Sequence, residues 1–218
     1  MFITFEGLDG SGKTTTINKL FTYLKNHFKL NKIVFTREPG GKELTEAEKI
    51  RKIILDSSSN LSAVAEAMLY STSRRIHLER VIWPALKENN LVLCDRYIDS
   101  FYAYQGFARD LGLNYVKTLT ELIIDNCIPD ITIFFNITPL QAKNRRNQNQ
   151  LLEDRIEKEK TDFHEKVYQG YWQLINQELE RFIVIDATKN EEEVFQETLS
   201  KLLENSKFKE YLEKNVIS

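Results

Sequence analysis

Phe2-Ile3-Thr4-Phe5-Glu6-Gly7-Leu8-Asp9-Gly10-Ser11-Gly12-Lys13-Thr14-Thr15 is a short apolar run, a glycine-rich turn and the opening of a helix. Gly7 to Thr14 fits the pattern G-x-x-x-x-G-K-[ST] with every required position filled. Glycines at that spacing let consecutive backbone N–H groups turn inward around a phosphate. The positive end of the following helix adds to the field. Gly7, Leu8, Asp9, Gly10, Ser11, Gly12, Lys13, Thr14 and Thr15 are therefore the expected cradle for a nucleotide's phosphates. Lys13 is placed to reach the β- and γ-phosphates, and the Thr14 hydroxyl to coordinate Mg²⁺. A merely glycine-rich connection would not call for the strand before it and the helix after it.

Outward from this stretch, the helical pattern of about Gly12 to Phe28 puts Ile17, Leu20, Phe21 and Leu24 on one face. Four more apolar runs read as strands: Ile33-Val34-Phe35-Thr36, Leu91-Val92-Leu93-Cys94-Asp95, Ile131-Thr132-Ile133-Phe134-Phe135 and Phe182-Ile183-Val184-Ile185-Asp186. Helical stretches separate them. Continuous apolar strands alternating with helices predict an α/β fold whose five-stranded parallel sheet is covered on both faces. In such sheets, sites lie beyond the carboxyl ends of the strands.

Between the second and third strands, Arg37-Glu38-Pro39-Gly40-Gly41 is a turn, a helix is expected from Glu43 to about Leu55, and Ser57-Ser58-Ser59-Asn60 breaks it. A longer helix follows, with Leu61, Val64, Ala65, Met68, Leu69, Thr72 and Ile76 as its expected packed face and a kink or restart near Trp83-Pro84. Gln148 to Lys160 is polar and mixed in charge, without the apolar periodicity of a core helix, and reads as a mobile flap or lid segment of about 145–160 within one domain over 1–218.

At 218 residues, with 42% apolar and 28% charged residues, the chain has the composition of an ordinary globular protein. Cys94 and Cys127, without metal-ligand spacing, point to a reducing, cytoplasmic compartment and to core positions. Met1 runs straight into the first strand, so no signal segment is expected, and no apolar run reaches membrane-spanning length. A net charge of −2 argues against nucleic acid as a partner.

Several side chains stand out against this frame. Asp95 ends a strand beside the phosphate loop, where a carboxylate completes a nucleotide–Mg²⁺ site, although a strand-end Asp-Arg pair also occurs as a surface salt bridge. Arg75 has Glu79 at i+4 and reads as a solvated ion pair. Arg74 has no acid at helical spacing; with Tyr70 one turn before it, the pair suits stacking on a planar base and bonding its edge, or else packs in the core. Asp9 would repel a triphosphate and is expected to point aside, toward a hydroxyl or a metal-bound water. Lys13 is the loop's one basic side chain, so charge on a moving phosphoryl group must be met by arginines from elsewhere. Arg145, Arg146 and Arg155 are the candidates near the lid; Glu159 at i+4 gives Arg155 an alternative partner.

Together, the phosphate loop with Phe5-Glu6, Arg37-Glu38-Pro39-Gly40-Gly41, Ser73-Arg74-Arg75, Asp95-Arg96-Tyr97 with Ser100, Ala103-Tyr104-Gln105-Gly106, Asp154-Arg155-Ile156-Glu157 and Ile185-Asp186-Ala187 resemble the thymidylate kinases of bacterial type across nearly the whole chain. The resemblance implies a three-layer P-loop NTPase fold with strand order 2-3-1-4-5, transfer of the γ-phosphoryl of ATP to dTMP with Mg²⁺, and a homodimer packed through helices. It implies catalytic roles for Lys13, Arg96, Arg155 and Asp95, and metal binding by Thr14 and Asp95. It further implies that Asp9 holds the sugar 3′-hydroxyl, Tyr70 stacks on thymine and Arg74 bonds its edge. Arg51 and Arg96 would clamp the acceptor phosphate, with Arg37, Glu38 and Ser100 beside them; Tyr104 would crowd the sugar 2′ position and Gln105 approach the base. The chain departs from the family at Phe101, where relatives commonly carry a small or polar residue, at Tyr70, where phenylalanine is common, and in the glutamine- and asparagine-rich stretch Asn147 to Gln150. A deoxynucleoside kinase, whose hydroxyl acceptor needs a base, is the alternative.

Overall fold

Five strands, β1 (Phe2–Glu6), β2 (Ile33–Arg37), β3 (Leu91–Asp95), β4 (Ile131–Asn136) and β5 (Phe182–Asp186), form one all-parallel sheet in the order β2-β3-β1-β4-β5 in the computed structural model. The structure describes the chain except for residues 29, 31, 42, 149–153 and 216–218. Every residue of β1 is buried. Successive strand side chains point to opposite faces, so both faces of the sheet are covered. Helix α1 (Lys13–His27) packs on β1, β2, β3 and on α9 (Glu191–Glu204). A second group comprises α2 (Thr45–Leu55), α3 (Ala63–His77), α6 (Leu113–Ile124) and α8 (Thr161–Gln177). The first helix buries Ile17, Leu20 and Leu24, as its periodicity predicts; each such aliphatic side chain contributes about 1.5–3 kcal/mol when fully buried.

The longer helix differs from its expected packing. Val64 and Met68 of α3 are 43% and 46% exposed, while Glu66, Ser71, Ser73, Arg74 and His77 are buried. This polar face finds its partners across the fold rather than within the helix. Ser73 Oγ accepts the Gly40 N–H at 3.1 Å, and Arg74 and His77 both reach Glu38. After α3 comes a π-helical stretch, Leu78–Ile82, and then α4 (Trp83–Lys87) with Pro84 in its first turn, where the missing N–H costs no helical bond. Here is the expected restart. Cys94 is buried, whereas Cys127 is only half-buried.

The order of the strands positions the site. β1 lies between β3 and β4, so the loop leaving β1 opens at the sheet's switch point, where the crevice forms. Phe5 pairs with Asp95, which aligns the ends of β1 and β3. The Arg96 N–H donates to Phe5 C=O at 3.0 Å, and Glu38 N–H to Asp95 C=O at 2.9 Å. Three strand ends thus deliver Gly7, Glu38 and Arg96 to one place.

Candidate active site

The phosphate loop takes a path open only to glycine at two points. Gly7 has φ 139°, and a Cβ there would stand 2.8 Å from the Phe135 carbonyl oxygen; Gly10 has φ 92°, with its Cβ 2.5 Å from the Ala142 carbonyl oxygen. Gly12 leads into α1 from the left-handed region. Lys13 is buried and folds back over its own loop, donating to the Gly7 and Leu8 carbonyls at 3.0 and 3.1 Å. Burial, then the charge of Arg96, lowers its pKa. Thr14 Oγ1 donates to Asp95 Oδ2 at 2.9 Å, and Asp95 Oδ1 is buried without a partner among the described residues. A hydroxyl and a carboxylate with a spare oxygen are the hard donors that suit Mg²⁺.

Arg96 follows β3 in the left-handed region, at φ 68°, an uncommon conformation for a residue with a side chain. Its guanidinium donates to Asp9 Oδ1 at 2.7 Å and Ser100 Oγ at 3.0 Å, and lies 5.4 Å from the centre of the Tyr104 ring. Asp9 does point aside from the loop, as expected, but toward an arginine. Burial works to raise the Asp9 carboxyl; Arg96 and Lys13 overcome it and hold the group well below the usual carboxylate range. Asp9 in turn keeps Arg96 charged against its own burial.

Across the crevice, Arg37 donates to both Glu48 oxygens at 3.0 Å, and Arg51 to the Pro39 carbonyl at 2.9 Å. Arg74, without an acid in its helix, finds Glu38 at 2.8 Å and the Tyr97 carbonyl at 3.2 Å. Its guanidinium lies over Tyr97 and Phe101, at 5.2 and 5.0 Å from the ring centres, and Phe101 sits 6.4 Å from Tyr70. Arg74 is thus set on aromatic rings and braced by a carboxylate, although Tyr70 is not the ring beneath it. Arg75 makes the expected pair with Glu79, at 2.6 Å, and a second with Asp125. Tyr104 and Gln105 belong to a π-helical stretch, Tyr102–Ala108, that follows α5 (Ile98–Phe101).

Two of the three candidate arginines, Arg145 and Arg146, lie in the last turn of α7 (Pro139–Gln148). Arg145 donates to the carbonyls of Ala187, Thr188 and Lys189, and Arg146 to Asp9 C=O at 2.7 Å. Part of the glutamine- and asparagine-rich stretch within the segment assigned to a lid falls at 149–150, outside the described residues. Arg155 is not turned to the phosphate loop. It pairs with Glu66 and donates to Ile54 C=O at 2.8 Å, while Glu159 takes Arg109 at 2.6 Å instead of Arg155.

A cavity of about 530 Å³ joins these groups. Asp9, Thr14 and Asp95 border it on the loop side, and Arg96 and Ser100 line it as well. Arg37, Glu38, Arg51, Tyr70, Arg74, Tyr104 and Gln105 border it opposite. Lys13 and Arg155 are not among its walls. Three buried carboxylates, Glu6, Glu66 and Asp99, escape the sequence reading. Glu66 accepts from Gln105 Nε2 at 3.0 Å and Arg109 Nε at 3.1 Å as well as from Arg155. Its signal is in the sequence: Glu66, Tyr70 and Arg74 recur every four residues on one helix face. Glu6, the last residue of β1, has no such signal.

The thymidylate kinase family model matches residues 5–198. The chain is 54% identical over 215 residues to a thymidylate kinase of Mycoplasmopsis agalactiae, covering 99% of this chain and 100% of that protein. It is 45% identical to a thymidylate kinase of Staphylococcus haemolyticus, over 93% of this chain and 97% of the other. In structure it is similar to the crystal structure of thymidylate kinase from Ehrlichia chaffeensis, with TM-score 0.75, 31% identity, and coverage of 93% and 97%.

Proposed function

The chain belongs to the thymidylate kinase family, ATP-dependent transferases that phosphorylate dTMP to dTDP, and we propose that it carries out this reaction across the crevice between Thr14 and Arg51. The observation that carries this assignment is the cavity of about 530 Å³, with the phosphate loop on one wall and arginines beside aromatic rings on the other. The phosphate loop, Gly7 to Thr15, takes the ATP phosphates. Thr14 and Asp95 hold Mg²⁺, which, when bound, neutralises charge on the β- and γ-phosphates. Tyr70 and Arg74 take the thymine, Gln105 approaches it, and Tyr104 and Asp9 border the sugar. Arg51 and Arg96, with Arg37, Glu38 and Ser100, hold the acceptor phosphate.

The acceptor is already an anionic oxygen, so no general base is required. An oxygen of dTMP forms a bond to the γ-phosphorus as the bond to the ADP oxygen breaks. Catalysis rests on in-line placement and on meeting the spread charge, by Arg96 after β3 and Lys13 from the loop. Arg155 serves the same charge only after exchanging Glu66 for the phosphoryl group, a movement of the lid segment of about 145–160. That movement also excludes water from the reaction. The 1–218 chain acts as one catalytic domain, and the reducing cytoplasm suits its two free thiols. Among the described residues no helix is long and apolar enough to cross a membrane. Exposed Val64 and Met68 on α3, and exposed Leu122 on α6, which packs against α3, support a homodimer joined through these helices.

The test is ADP release over a panel of nucleoside monophosphates, with and without Mg²⁺. Magnesium-dependent turnover that prefers dTMP supports the assignment; ATP hydrolysis indifferent to every monophosphate overturns it.

A further inference from the structure

We propose that Glu6 is a positioning residue for phosphoryl transfer, seating the Arg96 guanidinium through the hydroxyls of Ser100 and Tyr171; the inference rests on the reading of Arg96 as the phosphoryl clamp. Glu6 closes β1 and is completely buried. Oε1 accepts the Tyr97 N–H at 2.7 Å. Oε2 accepts the Tyr171 hydroxyl at 2.9 Å and the Ser100 hydroxyl. These two oxygens are the ones that Arg96 NH1 meets, Ser100 Oγ at 3.0 Å and Tyr171 OH at 3.4 Å. Ser100 Oγ and Tyr171 OH lie 2.9 Å apart, so they form a pair closed by a carboxylate on one side and a guanidinium on the other.

The proton count explains why a carboxylate stands here. A hydroxyl has one proton and two lone pairs, and an ionised carboxylate only accepts. Protons given to Glu6 leave the Ser100 and Tyr171 lone pairs facing Arg96, whose five N–H groups only donate. An amide brings N–H donors of its own and a methyl group accepts nothing, so neither would dictate that orientation. Burying a carboxylate is costly unless its bonds are filled, and this one has three donors. The network draws on four parts of the fold: β1, the turn after β3, α5 and α8. It holds a residue whose backbone, at φ 68°, persists only where its surroundings over-determine it. Asp99 stands behind Glu6, itself fixed by Arg181 at 2.7 and 2.8 Å.

The test is a double-mutant cycle on the full chain, reading kcat and both KM values for Glu6→Gln, Arg96→Ala and the pair. Glu6→Gln is expected to lower kcat roughly 10–100-fold, the scale of a misplaced catalytic group, with KM for ATP held within about threefold. In the Arg96→Ala background the same change should cost less than about twofold, because its effect passes through Arg96. Equal losses in both backgrounds, or a Glu6→Gln enzyme within about twofold of wild type, overturn the proposal. Should Glu6→Gln melt early, Tyr171→Phe replaces it in the same cycle with the same expected coupling. Wild type that fails to convert dTMP refutes the function itself; additive losses in an active wild type refute only the role of Glu6.

Discussion

Replacing Arg96 by alanine and by glycine separates what this side chain does in the reaction from what its backbone costs the fold. The guanidinium bonds Asp9 at 2.7 Å, Ser100 at 3.0 Å and Tyr171 at 3.4 Å, and Arg96 lines the cavity. An arginine that meets charge on a transferring phosphoryl group is worth about 10³–10⁵ in kcat, or about 4–7 kcal/mol at 1.36 kcal/mol per decade. Both variants should therefore lose about 10³-fold or more in kcat. Their stabilities should differ. At φ 68° alanine keeps the strain of the left-handed region and glycine escapes it, a difference of about 1 kcal/mol in favour of glycine. For a chain of this size that corresponds to roughly 2–4 °C in Tm. Steady-state ADP release and thermal melts by circular dichroism read the two effects. A folded Arg96→Ala enzyme within tenfold of wild type removes Arg96 from the reaction, and an alanine variant that melts above the glycine variant refutes the backbone argument.

Arg181→Met leaves Asp99 buried without the guanidinium that now bonds both its oxygens, and should cost about 3–5 kcal/mol in denaturant unfolding; a loss below about 1 kcal/mol contradicts it. Glu66→Ala frees Gln105, Arg109 and Arg155 together, so KM for dTMP should rise roughly tenfold or more while KM for ATP changes less; equal changes in both point to general loosening. Burial, with the charge of Asp99 added, raises the Glu6 carboxyl from the ordinary 4.5 to about 7. Between those values the folded chain keeps a proton that the unfolded chain has lost, so this contribution to stability is full at low pH and disappears as pH rises through about 7. Urea titrations on either side of that range should show the decline in wild type and a smaller one in Glu6→Gln; identical slopes sink the assignment.

The sheet was legible because parallel strands covered on both faces read as unbroken apolar runs, as Leu91 to Cys94 and Ile131 to Phe135 do. The phosphate loop was legible because its backbone demands glycine at positions such as Gly7 and Gly10, where any side chain meets a carbonyl. Helix α3 misled for a related reason: apolar periodicity marks a face that leaves water, but here the face toward the cavity is polar. Val64 and Met68 carried the hydrophobic signal, while Glu66, Ser73, Arg74 and His77 went inside with long-range partners that no helical spacing reveals. Arg74 shows the same limit. Its lack of an acid within the helix singled it out, but Glu38 lies 36 residues away and only the fold brings the two together. Arg155 and Glu159 stand one turn apart in sequence, yet each takes a partner from elsewhere, Glu66 and Arg109.

The most direct measurement offers wild-type enzyme, with ATP and Mg²⁺, equal concentrations of dTMP and thymidine and separates the products by chromatography. A phosphate loop facing an arginine-lined acceptor site should yield dTDP, one for each ADP, with thymidine left untouched. Conversion of thymidine to dTMP as the main reaction, or ADP formed with neither acceptor changed, would contradict it.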